Sequence, residues 1–112
     1  MSNGSPLQVV SVQHRDFDAG VEYAALRSRA ANAGAICMFT GLVREFYHGQ
    51  QAEDRVLSLY LEHYPGMTEK SLQDIVHAAQ QRWDLLACRV IHRVGELHAG
   101  DQIVLVAVAS AH

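Results

Sequence analysis

The sequence predicts an α+β fold, a mixed β-sheet with two helices packed on it in the order β-α-β-β-α-β-β. Three observations carry this reading. Leu72, Ile75, Val76, Ala79 and Trp83 recur at three-to-four spacing, the stripe of an amphipathic helix. Leu57, Leu59 and Leu61 alternate with Ser58, Tyr60 and Glu62, the pattern of a strand with one buried face. Between Gln102 and Ala111, Ile103, Leu105, Ala107 and Ala109 line one face and Val104, Val106 and Val108 the other. Apolar residues on both faces imply a central strand covered on two sides.

The elements follow in order. Residues 1–6 read as a flexible lead to one domain spanning 1–112. Leu7 to Gln13 is rich in valine and reads as a strand. Asp18 is placed to cap a helix from Ala19 to Ala31, with Glu22 near its positive end and Asn32 and Gly34 as stop signals. Ala35 to Arg44 is a second strand, apolar on both faces until its end, and 45–54 is a polar loop. Val56 to Tyr64 is a third strand, ended by Pro65-Gly66, after which Thr68 is expected to cap the helix that runs to Trp83. Cys88 to Leu97 reads as one strand, His98 to Asp101 as a turn, and Gln102 to Ala111 as the last strand. A central strand rarely ends a domain, so either another segment normally follows His112 or the sequence is a portion of a longer protein.

Bulk properties exclude several classes. With 112 residues, 49% hydrophobic and 19% charged, the chain is an ordinary globular domain that can hold one core. A net charge of −3 argues against a nucleic-acid binder, yet leaves room for a local anion site. No window is apolar enough to span a membrane and no basic-then-apolar leader opens the sequence, so the cytoplasm is the default compartment. Cys37 and Cys88 both lie in apolar runs and read as buried free thiols.

Few residues are placed for chemistry. The seven histidines lack close ligand spacing, so no metal is expected; His77 falls on the exposed helix face and His92 reads as half-buried and hydrogen-bonded. Phosphate-binding glycine motifs and a serine nucleophile elbow are missing. Arg44 stands at a strand end three positions after Gly41, where a guanidinium grips a carboxylate or phosphate; the alternative is a surface residue paired with Glu45 or Glu53. His112 follows two small residues at the end of the last strand, as a site residue or as a solvated terminus.

These segments resemble one known family. Phe39-Thr40-Gly41-Leu42-Val43-Arg44 is similar to the F-x-G-x-V-R segment of the large subunit of molybdopterin synthase. Leu61 to Lys70 reads L-E-H-Y-P-G-M-T-E-K, as in that family; Ile91 to Leu97 with Gly100-Asp101 resembles its I-H-R-x-G-x-L hairpin, and Ser110-Ala111-His112 the start of its S-A-H-R segment. The resemblance runs from about residue 34 to the end.

It implies an α/β-hammerhead-type domain and a sulfurtransferase. Such an enzyme converts a cyclic pyranopterin monophosphate into molybdopterin. Its two sulfurs come from the thiocarboxylated C-terminus of a small ubiquitin-like subunit. Two large subunits form a central homodimer with a small subunit at each end, a heterotetramer, and no cofactor is called for. By position, the resemblance assigns Phe39, Leu42, Val43, Arg44 and His112 to substrate binding, with Leu42 contributing backbone more than side chain. The family's catalytic lysines would lie beyond residue 112, and Lys70 matches a structural helix position. A catalytically impaired module that keeps dimerisation and partner docking is therefore the alternative. The site reading also expects Arg44 and His112 to share one cleft, about 10 Å or less apart, as convergent groups of a ligand pocket do.

Overall fold

A computed structural model describes residues 9–45 and 58–112. The elements are β1 (Val10–Gln13), α1 (Ala19–Arg29), β2 (Ala35–Leu42), β3 (Ser58–Leu61), α2 (Met67–Arg82), β4 (Leu85–Arg93), β5 (Gly95–His98) and β6 (Gln102–Ser110). The expected lead at 1–6, most of the loop at 45–54 and the start of the third strand at Val56 lie outside the described residues.

Four strands form the main sheet in the order β1-β4-β6-β2, and β3 pairs with β5 in a second, two-stranded sheet. β1 runs parallel to β4, while β6 is antiparallel to both β4 and β2. The fold is thus the mixed α+β arrangement that the sequence predicts.

The two helices take opposite faces. Leu26 and Ala30 of α1 pack with Phe17 on Ala87, Ile91, Leu105, Ala107 and Ala109. Val76 of α2 packs on Val10, Cys88 and Val90, with Leu72 and Val108 beside them. β6 is interior as expected, but its second face is only partly covered, and Val106 stays 37% exposed. The reason is that α2 sits over β1 and β4 rather than over β6. For the same reason the apolar stripe of α2 is buried only in part: Val76 is in the core, whereas Ile75 and Trp83 are exposed.

The helix starts show how local chemistry sets the ends. The Asp18 carboxylate accepts a hydrogen bond from the Val21 N–H at 3.1 Å, as its position predicts. α2, however, is capped two residues earlier than Thr68. Gly66 adopts φ +85°, and the Glu69 carboxylate accepts from the Gly66 N–H at 2.9 Å. Thr68 turns back instead, its hydroxyl accepting from the Tyr64 N–H at 3.1 Å.

The expected strand from Cys88 to Leu97 is two strands. It starts earlier, at Leu85, and breaks at Gly95, where φ is +87°. At this point the chain leaves the main sheet, pinned by the Val94 N–H donating to the Gln13 carbonyl at 2.9 Å. An added Cβ on Gly95 would lie 2.3 Å from the His14 ring, so only glycine fits there. The 98–101 turn forms as read: the Asp101 N–H donates to the His98 carbonyl and the Asp101 carboxylate accepts from the His98 N–H, at 2.9 and 2.8 Å.

Candidate functional site

The end of β2 holds four of the five candidate residues. Phe39 is 60% exposed and Leu42 54%, on a strand whose apolar side chains the sheet does not fully cover. Gly41 permits a close approach, but the neighbour is protein: a Cβ there would meet the Val104 side chain at 2.8 Å. Val43 is buried, at 2% exposure. Its N–H donates to the Asp101 carbonyl at 2.9 Å and its carbonyl accepts from the Gly100 N–H at 2.8 Å. Val43 thus anchors the strand end to the β5–β6 turn and holds the backbone between Leu42 and Arg44. Arg44 itself is exposed at this end.

His112 lies elsewhere. It is exposed just past β6, where the Ser110 hydroxyl donates to its carbonyl at 3.0 Å. It lines a hollow of about 420 Å³ with Trp83, Asp84, Leu85, Ser110 and Ala111. The Arg82 guanidinium sits 5.0 Å from the centre of the Trp83 ring. A flat indole with a cation against it, an imidazole and the Asp84 carboxylate therefore share one corner.

Arg44 and His112 do not converge within one chain. β2 and β6 are antiparallel, with Ala35 opposite Ser110 and Leu42 opposite Gln102. The end of one strand meets the start of the other. Arg44 and His112 therefore lie at opposite ends of this pair, roughly 30 Å apart at about 3.3 Å per residue. The expectation of a shared cleft of about 10 Å fails for a single copy. The spacing of residues in the sequence carries no information about this direction.

The comparisons with known proteins cover nearly the whole chain. The model of the MoaE protein family matches residues 12–112. The chain belongs to the MoaE family. Among curated relatives, the molybdopterin synthase catalytic subunit of Ralstonia nicotianae is 53% identical over 106 residues, covering 95% of this chain and 58% of the relative. That of Vibrio cholerae is 54% identical over 103 residues, covering 92% and 65%. The chain thus spans about three-fifths to two-thirds of their length. Among solved structures, molybdopterin cofactor biosynthesis protein E from Burkholderia multivorans superposes with a TM-score of 0.80 at 45% identity, over 93% of this chain and 64% of the other. A complex of subunits 1 and 2 of the molybdopterin-converting factor from Helicobacter pylori matches at TM-score 0.73 and 20% identity, over 94% of this chain and 67% of the other, which shows a common fold.

Two of this MoaE chain's family motifs prove to be structural frames. In the 61–70 segment, the second Glu69 oxygen lies 2.9 Å from His63 Nε2, so one carboxylate joins the helix cap to the connection that follows β3. Glu69's own backbone N–H, then the His63 and Gly66 hydrogen bonds, hold its carboxyl below the usual range against the opposing effect of burial. Lys70 pairs with Asp74 at 2.8 Å, exposed and one helical turn on, in keeping with a structural role.

In the 91–97 segment, Arg93 is the residue that sequence reasoning missed. Its guanidinium donates to the His14 carbonyl at 3.2 and 3.1 Å and to the Gln102 carbonyl at 2.9 Å. The Gln102 amide donates in turn to Asp16 and to the Phe17 carbonyl. This clamp joins β1, β4 and β6 at the Arg44 end of the sheet. An arginine at the end of a largely apolar strand was the signal available, since a withdrawn guanidinium is kept only when its donors are satisfied. His92 behaves as read, half-buried with Nδ1 2.8 Å from the Arg93 carbonyl.

The cysteines divide. Cys88 is buried, and burial pushes its thiol pKa up, opposed by the Gln80 amide. Cys37 is exposed, contrary to the expectation of two buried thiols, because β2 is an edge strand and α2 does not reach over it. No helix among the described residues is long and apolar enough to cross a membrane.

Proposed function

We propose that this chain is the substrate-holding part of the large subunit of a molybdopterin synthase. In this reading it converts a cyclic pyranopterin monophosphate into molybdopterin. The sulfur comes from a thiocarboxylate at the C-terminus of a small ubiquitin-like partner. The observation that carries the reading is the near-complete alignment with relatives named molybdopterin synthase catalytic subunit, at 53% and 54% identity. The similar fold in the complex of subunits 1 and 2 of the molybdopterin-converting factor from Helicobacter pylori is in line with a small protein partner.

The two halves of the site suit this chemistry. Both the phosphorylated pterin and the thiocarboxylate are anions. Arg44 offers a guanidinium able to make two parallel hydrogen bonds to a phosphate. Phe39 and Leu42 supply apolar surface beside it, with Val43 fixing the backbone. His112 and Trp83 stand at the other strand end, next to a hollow that admits a flat ring. Because roughly 30 Å separates the two groups in one copy, a pocket using both is built from two copies. This supports the homodimer of large subunits. The cytoplasm is the matching compartment.

The test uses a MoaE protein of the relatives' full length with its small thiocarboxylated partner, in single turnover. Arg44→Ala is expected to lower dithiolene formation at least tenfold, about 1.4 kcal/mol of transition-state binding. Binding of the small partner is expected to persist. Unchanged product formation removes Arg44 from the site. Partner binding without any product in the unsubstituted protein would select the impaired module.

A further inference from the structure

We propose that Asp101 is a positioning residue for Arg44: its carboxylate closes the His98–Asp101 turn, and that turn sets the direction in which Arg44 leaves β2 toward the phosphate of the substrate. This deepens the reading of Arg44 given above and rests on it.

The turn is tied at both ends. The Asp101 N–H donates to the His98 carbonyl at 2.9 Å, and the Asp101 carboxylate accepts from the His98 N–H at 2.8 Å. Gly100, at the third position, has φ +90°, where an L side chain is strained. An added Cβ there would meet nothing within 4 Å, so the backbone conformation and not crowding calls for glycine.

This frame grips the residue before Arg44. The Gly100 N–H donates to the Val43 carbonyl at 2.8 Å, and the Asp101 carbonyl accepts from the Val43 N–H at 2.9 Å. The Val43 side chain is buried as well. Residue 43 is therefore held at both main-chain groups and at its side chain. A peptide unit is planar, so a held Val43 carbonyl fixes where the Arg44 Cα stands.

A separate device acts just upstream. Gly41 lies opposite Val104 but Leu42 lies opposite Gln102, so Ile103 is the extra residue of a β-bulge. Bulges bend a strand, increase its twist and re-aim the side chains that follow. The bulge turns the end of β2, and the 98–101 turn then fixes the new direction. An arginine aimed before its ligand arrives loses less freedom on binding. That gives the Gly100-Asp101 pair a task in anion binding, exerted through the guanidinium and not by contact with substrate.

The experiment uses the full-length assembly and single-turnover assay described for Arg44→Ala. Asp101→Ala is expected to lower dithiolene formation at least about threefold. Asp101→Asn keeps a side-chain oxygen that accepts from the His98 N–H and should recover most of that loss. Added to Arg44→Ala, Asp101→Ala should change product formation less than about twofold, since its effect runs through the missing guanidinium. Gly100→Ala strains the same turn with Asp101 in place and should reproduce the loss. Gly66→Ala brings a similar strain, at φ +85° and into equally open space, to the start of α2, and should leave product formation at the parent level. Parent-level product from Arg44→Ala overturns the Arg44 reading and the positioning role together. A loss in Arg44→Ala with parent-level product from Asp101→Ala and Gly100→Ala overturns the positioning role alone. Losses that multiply in the double variant, no recovery in Asp101→Asn, or an equal loss in Gly66→Ala do the same. Should Asp101→Ala fail to fold, Gly100→Ala measured against Gly66→Ala decides the question.

Discussion

Glu22 and Arg89 meet at 3.0 Å across the contact between α1 and β4, with side chains only 19% and 12% exposed. The sequence marks Glu22 only as a first-turn acid. The fold gives it a partner 67 positions away. A largely withdrawn, hydrogen-bonded ion pair fixes register more than it adds net stability, but breaking one side leaves the other charge poorly solvated.

Glu22→Gln and Arg89→Met are therefore each expected to destabilise the fold by roughly 1.5–3 kcal/mol, the range for a hydrogen bond to a charged group. The double variant should cost less than the sum. A double-mutant cycle from urea unfolding checks this, and strict additivity would show that the pair is not coupled.

Gly95→Ala faces two penalties, a left-handed φ and the His14 ring at 2.3 Å from the new Cβ. The backbone part alone is about 1–2 kcal/mol. Pairing Gly95→Ala with His14→Ala is expected to recover the steric part and leave the backbone part. Thermal unfolding of the single and double variants separates the two.

Asp16 predicts a pH dependence. The Gln102 amide, then the Phe17 N–H, and least the Arg93 charge hold its carboxyl below the usual carboxylate range, against burial. A carboxyl whose folded pKa is lowered stabilises the fold fully above its unfolded pKa, near 3.9. That contribution is lost as pH falls through the lower folded value. Asp16→Asn should therefore be less stable than the parent at pH 6, with the gap closing below about pH 4. Urea midpoints across that range measure it, and a gap that is constant with pH would assign the loss to hydrogen bonding alone.

Thiol labelling should separate the two cysteines. Cys37 is exposed and is expected to react in the native protein. Cys88 is buried with a raised pKa and should react only on unfolding. Mass spectrometry after a short alkylation reads both at once, and equal labelling would contradict the packing of α2 on β4.

Much of the fold was legible because periodicity is local. The Asp18 cap, the 98–101 turn and the alternation of β6 follow from spacing and residue type within a few positions. What escaped depended on distant partners. The break at Gly95 is set by His14, 81 positions back, which no local pattern reveals, although a glycine inside a strand pattern was a cue. Exposure of Cys37, Ile75 and Trp83 follows from α2 covering only the β1–β4 half of one face. The site followed the same division. The type and position of Arg44 pointed to an anion and the resemblance added positions 39, 42, 43 and 112, but their relative placement depends on strand direction, and the role of Arg93 depends on carbonyls distant in the sequence.

The antiparallel run of β2 against β6 has a genetic corollary under the two-copy reading. A lesion at Arg44 and a lesion at His112 damage different corners, so each doubly mutated pair made from one type has no intact pocket. Co-expressing the two defective alleles would assemble mixed pairs in which one pocket draws only on undamaged corners, and function would return at a fraction of the normal level from two polypeptides that are each inert alone.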